Sequence, residues 1–178
     1  GYAFYKTPVE YISYDINPSL EFGLNYFGKV VDSEGFNTDG TRLLAECRIQ
    51  GLEAEDAVKA LTLQAKADGY IKADGTTVIA MTVEAKRIQN AERLETMLRQ
   101  ETQSFIDENG LKAVIYTDRA DLQLRTEARE YGLSPGKYKL IQMLGSLDPN
   151  MDQEQFRNAR ITEILLKADQ LLNQSKNG

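Results

Sequence analysis

Val9-Glu10-Tyr11-Ile12-Ser13-Tyr14-Asp15-Ile16-Asn17-Pro18-Ser19-Leu20-Glu21-Phe22-Gly23-Leu24-Asn25-Tyr26 is the stretch that decides the fold class. Apolar and polar residues alternate on both sides of an Asn-Pro step, with the two-residue period of a half-buried strand. Ile12, Tyr14 and Ile16 share one face of the first run. Leu20, Phe22, Leu24 and Tyr26 share one face of the second. Pro18 has no N–H to give to a ladder, so on the residues alone the step reads most simply as a turn, a bulge or an edge.

Outward from this stretch, Gly28 marks a hairpin turn, and Val30 to Phe36 reads as the returning strand. Asn37-Thr38-Asp39-Gly40 reads as a turn or loop. The period then lengthens. Leu52 to Gly69 carries a helical stripe, Thr77–Val83 a strand, and Glu84 to Asn109 a long helix ending at Asn109-Gly110. Lys112 to Tyr116 is a short strand. Beyond it the chain is helical. Asp118 is a candidate N-cap for a helix ending at Gly132, and Ser134-Pro135 caps the next one. Asp152 with Gln155 forms a capping box for the last, whose inner face carries Ile161, Leu165, Ala168 and Leu172. The expected fold is α+β: an antiparallel sheet of about four to five strands packed with helices, then a C-terminal helical extension. A sheet-containing part spans 1–117 and a helical part 118–178, with packing into one domain left open.

With 178 residues, the chain can bury a core without staples. Apolar residues make up 42% and charged residues 27%, which excludes wholesale disorder. There is no His, so Ser-His-Asp, Cys-His and His-metal chemistry are excluded. One cysteine, Cys47, excludes an internal disulfide. The net charge is −6, and the balance of basic to acidic residues is 4 to 7 over 1–50, 7 to 11 over 51–110 and 10 to 9 beyond. No segment is strongly basic, so nucleic acid is not an expected partner. No run is long and apolar enough for a membrane span, and a chain opening at Gly1 reads as part of a longer protein.

Most apparent motifs have plain readings. Gly132-Leu133-Ser134-Pro135-Gly136-Lys137 lacks the first glycine of a phosphate loop, with Tyr131 in its place, and has Tyr138 where Ser or Thr is needed. Asp118, Asp121, Glu53, Glu55 and Asp56 lack EF-hand spacing and suit helix N-termini. Cys47 beside Arg48 reads as a small buried apolar residue. No cofactor and no metal are expected, and no residue set supports a conventional hydrolase.

Asn17-Pro18 has a chemistry of its own. An Asn side-chain nitrogen can attack its own backbone carbonyl, forming a C-terminal succinimide and expelling the next nitrogen. The competing deamidation needs a backbone N–H on the following residue, which proline lacks. The X-Pro bond is also weaker in its trans preference. Such a reaction needs held geometry and a proton for the leaving nitrogen. Asp15, Asn17, Ser19 and Glu21 share one parity and hence one face of a continuous strand. Asp15 is the candidate for orienting Asn17 or supplying the proton, with a structural hydrogen bond as the other reading. Ser19 and Glu21 are further candidates.

Tyr11 through Asn25, with Asp15-Ile16-Asn17-Pro18-Ser19-Leu20-Glu21 at its centre, resembles the extracytoplasmic domain of RsgI-type anti-sigma factors. The resemblance runs through Gly28-Lys29-Val30, Asn37-Thr38-Asp39-Gly40, Gly69-Tyr70 and Gly132–Lys137, over roughly residues 10–145. It implies a single-pass membrane protein of Gram-positive bacteria, with this chain on the extracytoplasmic face. It implies self-cleavage at Asn17–Pro18, with the halves staying together, as a step in regulated proteolysis that releases a SigI-class sigma factor. The implied partners are the chain's own N-terminal strand, downstream membrane proteases, and a sigma factor held by a cytoplasmic domain outside this chain. Cell-wall polysaccharide is a further one. Asn17 would be the nucleophile and Pro18 the leaving residue, in a single turnover rather than as an enzyme. The alternative is an uncleaved surface module that binds protein or glycan, in which Asn17-Pro18 is only a bend.

Overall fold

A computed structural model of the chain describes residues 1–177. After a short helix α1 (Tyr2–Lys6), the hairpin strands β1 (Glu10–Asp15) and β2 (Ser19–Leu24) form as their alternation dictates. β3 (Val30–Gly35) returns through a turn in which Asn25 Oδ1 accepts from the N–H groups of Phe27 and Lys29, and Gly28 takes φ 78°. The helices α2 (Thr38–Glu46) and α3 (Ala54–Ala67), strand β4 (Val78–Ala85), helix α4 (Ile88–Glu108) and strand β5 (Val114–Ala120) follow. The chain then runs through α5 (Leu122–Glu130), α6 (Pro135–Leu147), a 3₁₀ turn (Gln153–Phe156) and α7 (Ile161–Asn177).

The expected α+β class holds, with one difference in strand direction. The sheet has five strands in the order β3-β2-β1-β4-β5, and the β4–β5 pair is parallel rather than antiparallel. A parallel pair needs a long crossover, and α4 supplies it. β1 is therefore the central strand. It pairs antiparallel with β2 from Glu10↔Leu24 to Asp15↔Ser19, and with β4 from Glu10↔Ala85 to Asp15↔Ala80.

Each face of the sheet is covered. Ile12, Tyr14, Leu20, Phe22, Ile79, Met81 and Val83 pack with α2, α3 and α4 in the larger core. The opposite face meets α5, α6 and α7, where Val78 and Ala80 pack with Ala128, Leu140, Ile141, Leu144 and Ile164. The helical part thus docks on the sheet. Gly136, in the first turn of α6, lies so close to β1 that an added Cβ would fall 2.7 Å from Thr82 Oγ1 and 3.0 Å from Asp15 Oδ2.

Three local readings are revised. Asn37–Gly40 is not a loop: Asn37 is the N-cap of α2, its Oδ1 accepting from Gly40 N. Asp118 lies within β5, and the N-cap of α5 is Asp121, which accepts from Leu124 N. Asp152 caps only the 3₁₀ turn, and α7 starts at Ile161 with Leu172 exposed. Ser134 caps α6 as its Ser-Pro signal predicts, accepting from Lys137 N.

The docking of α6 yields a test of sign. In a free helix, Gly136→Ala would stabilise by roughly 0.5–1 kcal/mol, through the unfolded state's lost freedom. Against the sheet it overpacks and destabilises by about 1–3 kcal/mol. Urea unfolding of the variant beside the parent chain distinguishes the two, and destabilisation is expected.

Candidate functional site

Ile16, Asn17 and Pro18 form the three-residue loop between β1 and β2. Pro18 is buried and Asn17 half-buried. Backbone groups at such a tip have lost their ladder partners and need others. Ile16 N donates to Pro18 O at 3.0 Å, closing the turn. Ile16 O accepts from Ile161 N at the start of α7, at 3.0 Å. Asn17 O accepts from Asn37 Nδ2 at 2.5 Å, and Ser19 N donates to Asn37 Oδ1 at 3.1 Å. Ser19 O accepts from Phe36 N at 2.8 Å. Three separate segments therefore clamp the tip: the end of β3, the N-terminus of α2 and the N-terminus of α7. The side-chain amide of Asn17 makes no hydrogen bond among the described residues. It borders an open cleft of about 170 Å³ lined also by Tyr70, Lys72, Arg160 and Thr162.

Asp15, Ser19 and Glu21 lie together on the sheet face toward α5 and α6. The shared face arises from pairing rather than from one continuous strand. Asp15 opposes Ser19, Ser13 opposes Glu21, and cross-strand partners point the same way. Ser19 Oγ donates to Asp15 Oδ1 at 2.6 Å, and Ser134 Oγ donates to both Asp15 oxygens at 2.8 Å. Asp15 is 1% exposed. Burial pushes its carboxyl up to about 6, against the two hydroxyl donors and the Lys137 ammonium, which pull it down. Lys137 is itself buried, and desolvation holds its ammonium below the usual lysine range.

Glu21 sits two residues further from the tip. Arg125 grips it with Nε 3.1 Å from both oxygens and Nη2 at 2.8 Å from Oε1, while its guanidinium lies 3.5 Å over the Tyr11 ring. Arg129 spans Glu21 and Glu34. Glu84 on β4 completes the layer and is fully buried. Its Oε1 accepts from Ser13 Oγ at 3.2 Å, and its Oε2 has no donor. Burial first, then the neighbouring Glu21 carboxylate, push the Glu84 carboxyl far up. Both causes favour the neutral form of Glu84 over a second buried carboxylate beside Glu21.

The structure thus joins Asp15, Ser19 and Pro18 at one end of this polar layer, and ties Glu21 to α5 at the other. Asn37, Ser134, Lys137, Glu84 and Arg125 were not among the site candidates read from the sequence. Asn37 precedes Thr38-Asp39-Gly40 as an N-cap does, which signals its capping role. Its reach to Asn17, 20 residues away, has no local signature. Among the described residues no group of three or more His, Cys, Asp or Glu is placed to hold a metal ion. No described helix is long and apolar enough to cross a membrane.

Comparison with known proteins places this arrangement in a family. Residues 9–143 match the family model of the anti-sigma factor RsgI-like central domain. That span includes the Asn17-Pro18 loop, both clamping segments before α7, and the polar layer. The chain belongs to the RsgI-like anti-sigma factor family. It is similar to anti-sigma-I factor RsgI7 of Acetivibrio thermocellus, with 28% identity over 161 residues, 90% of this chain and 30% of that protein. It is also similar to anti-sigma-I factor RsgI of Bacillus anthracis, with 26% identity over 141 residues, 76% of this chain and 31% of that protein. RsgI9 of A. thermocellus is 25% identical over 166 residues, 89% of this chain and 23% of that protein. The chain therefore spans less than a third of the length of these curated relatives.

The raised Asp15 carboxyl has a stability consequence of definite sign. The folded state holds a proton on Asp15 between the ordinary carboxyl value of 3.8 and about 6, where the unfolded state has lost it. Its contribution is present below the lower value and is lost as pH rises through the upper one. Relative to Asp15→Asn, the parent chain is expected to lose about 3 kcal/mol between roughly pH 4 and pH 7. Urea unfolding of both proteins across that range measures it.

Proposed function

We propose that this chain is the outer domain of a membrane-anchored anti-sigma factor and that it cuts its own backbone once, between Asn17 and Pro18. One observation carries the reading. The Asn17–Pro18 bond lies in a loop whose backbone is held by three segments, while the Asn17 side-chain amide is unengaged. A fixed carbonyl beside a free nucleophile is what an intramolecular attack needs.

The chemistry balances without a co-reactant. Asn17 Nδ2 attacks the Asn17 carbonyl carbon and gives up one hydrogen. The C–N bond to Pro18 breaks, and the Pro18 nitrogen gains one hydrogen as it leaves. The products are a fragment ending in a succinimide and a fragment starting with a free proline amine. Asp15 acts as the proton reservoir. It is bonded to the Ser19 hydroxyl, on the residue next to the departing nitrogen. Glu21, neutralised by Arg125, positions β2 rather than reacting. The event is a single turnover and not enzymatic catalysis.

The halves stay together in this reading because the released piece contains the central strand. β1 keeps six paired residues on each side, with Ile12, Tyr14 and Ile16 in the core. Three such side chains at roughly 1.5–3 kcal/mol each, with ladder bonds at about 1 each, offset an association cost of about 4–15 kcal/mol. The division at 117/118 falls inside β5 (Val114–Ala120), and the sheet and the helices that follow β5 act as one unit, supported by the bonds from Ser134 and Gly136 to Asp15 and Ser13. Pulling on the chain before β1 then unzips the middle of the sheet. The exposed stub becomes a substrate for membrane proteases, and the sigma factor of the SigI class is freed. The membrane anchor and the sigma-binding part belong to the longer protein.

A second reading, an uncleaved binding module, has an observation of its own. Phe4, Tyr5, Tyr26 and Phe27 are exposed and cluster, with ring centroids 5.7–6.4 Å apart. Such rings stack on sugar faces. Titration with soluble cell-wall glycans tests it, through the tyrosine fluorescence of the parent against Tyr26→Ala.

Denaturing mass spectrometry of the purified chain beside Asn17→Ala tests the first reading. Two species meeting at Asn17 and Pro18 are expected in the parent, the shorter one lighter by one water than the free acid. The variant is expected to stay whole. An intact parent chain would overturn self-cleavage.

A further inference from the structure

Asn37 is fixed in one orientation by its own contacts. Its Oδ1 accepts from Ser19 N at 3.1 Å and from Gly40 N at 2.7 Å. Both partners are backbone donors, so that atom has to be the amide oxygen. The other terminus is then the NH₂, and it points at Asn17 O, 2.5 Å away. The amide cannot turn over without setting its NH₂ against two N–H groups. Its base is equally fixed. α2 begins so close to β2 that a Cβ on Gly40 would fall 2.0 Å from Ser19 O, leaving room there for glycine alone.

Asn17 O is the oxygen on which negative charge gathers when the Asn17 carbonyl is attacked. Ordinary turn satisfaction would be served by any donor. This one is charge-neutral, pre-aimed, and mounted on the N-terminus of a nine-residue helix, whose partial positive charge lies on the same side. Such fixed donors stabilise a developing oxyanion without reorganising.

We infer that Asn37 is a catalytic residue of the self-cleavage reaction, its side-chain N–H groups forming the oxyanion donor for the Asn17 carbonyl. The inference rests on the cleavage reading proposed above. In the step itself, the Asn17 Nδ2 lone pair forms a bond to the Asn17 carbonyl carbon, and the C=O π pair moves onto the oxygen facing Asn37. When that pair returns, the bond to Pro18 N breaks, and the hydrogen lost from Nδ2 is made good on the proline nitrogen. Asn37 is unchanged at the end. The same side chain also holds Ser19 N, so it grips both sides of the bond that breaks.

The test separates donation from capping. Asn37→Asp and Asn37→Ser both keep an oxygen to cap α2. The first places an oxygen where the NH₂ was, and the second is too short to reach Asn17. Chains kept unfolded in urea are refolded, and the intact fraction is followed by mass spectrometry. Cleavage is expected to slow by about 100-fold or more in both variants. Their unfolding midpoints and the hydrogen exchange of the Gly40 amide are expected to stay near the parent's. A parent that cleaves, with either folded variant cleaving at the parent rate, overturns the role of Asn37 alone. A slowing that only tracks lost stability or faster Gly40 exchange also overturns it, in favour of a purely structural cap. A parent chain that never cleaves overturns the cleavage reading, and this inference with it.

Discussion

The peptide groups at the tip of the β1–β2 hairpin have no neighbouring strand to pair with, and much of the architecture exists to supply partners for them. Asn37 serves Asn17 O and Ser19 N, Phe36 serves Ser19 O, and Ile161 serves Ile16 O. An unpaired buried backbone group costs about as much as a lost hydrogen bond, on the order of 1–3 kcal/mol. That cost ties α2 to the sheet at Gly40, and ties α7 back to the first hairpin across more than 140 residues of chain. The backbone of the loop is consequently held by hydrogen bonds from three separate segments.

The second constraint is the polar face of the sheet. Ser13, Asp15, Ser19, Glu21, Thr82 and Glu84 are all buried there, an unusual lining for a strand surface. Buried charge has to be paired or neutralised. Arg125 pairs Glu21, burial beside Glu21 pushes the Glu84 carboxyl up toward its neutral form, and Ser134 with Lys137 answers Asp15. All three helical contributors come from beyond residue 120. The C-terminal helices are therefore part of the polar chemistry at β1 and β2, as well as an apolar cover for Val78 and Ala80.

The hairpin was legible in the sequence because its inner residues alternate cleanly. So was α6, because Ser134-Pro135 is a local signal with a local cause. α2 was not, because Asn-Thr-Asp-Gly has the composition of a turn, and its helix is held mainly by Leu43 packing and by docking at Gly40. β5 ran longer than its apolar residues, since Asp118 and Arg119 are carried by pairing with β4 and by ion pairs to Lys139 and Glu95. Within the candidate site, the gathering of Asp15, Ser19 and Glu21 on one face followed from spacing and pairing. The second half of the site did not: Asn37, Glu84, Arg125, Ser134 and Lys137 reach it only through tertiary contacts, which no periodicity records.

In the cleavage reading proposed above, folded geometry, and not the Asn-Pro dipeptide by itself, drives the break. The direct measurement is the rate of loss of intact chain after dilution from strong urea into a series of final urea concentrations, with the folded fraction read by circular dichroism on the same samples. The expected rate is proportional to the folded fraction, falling to the background of an unstructured peptide once the domain is unfolded. Equal rates in folded and unfolded chains would contradict it, and would leave the clamped loop as a structural turn.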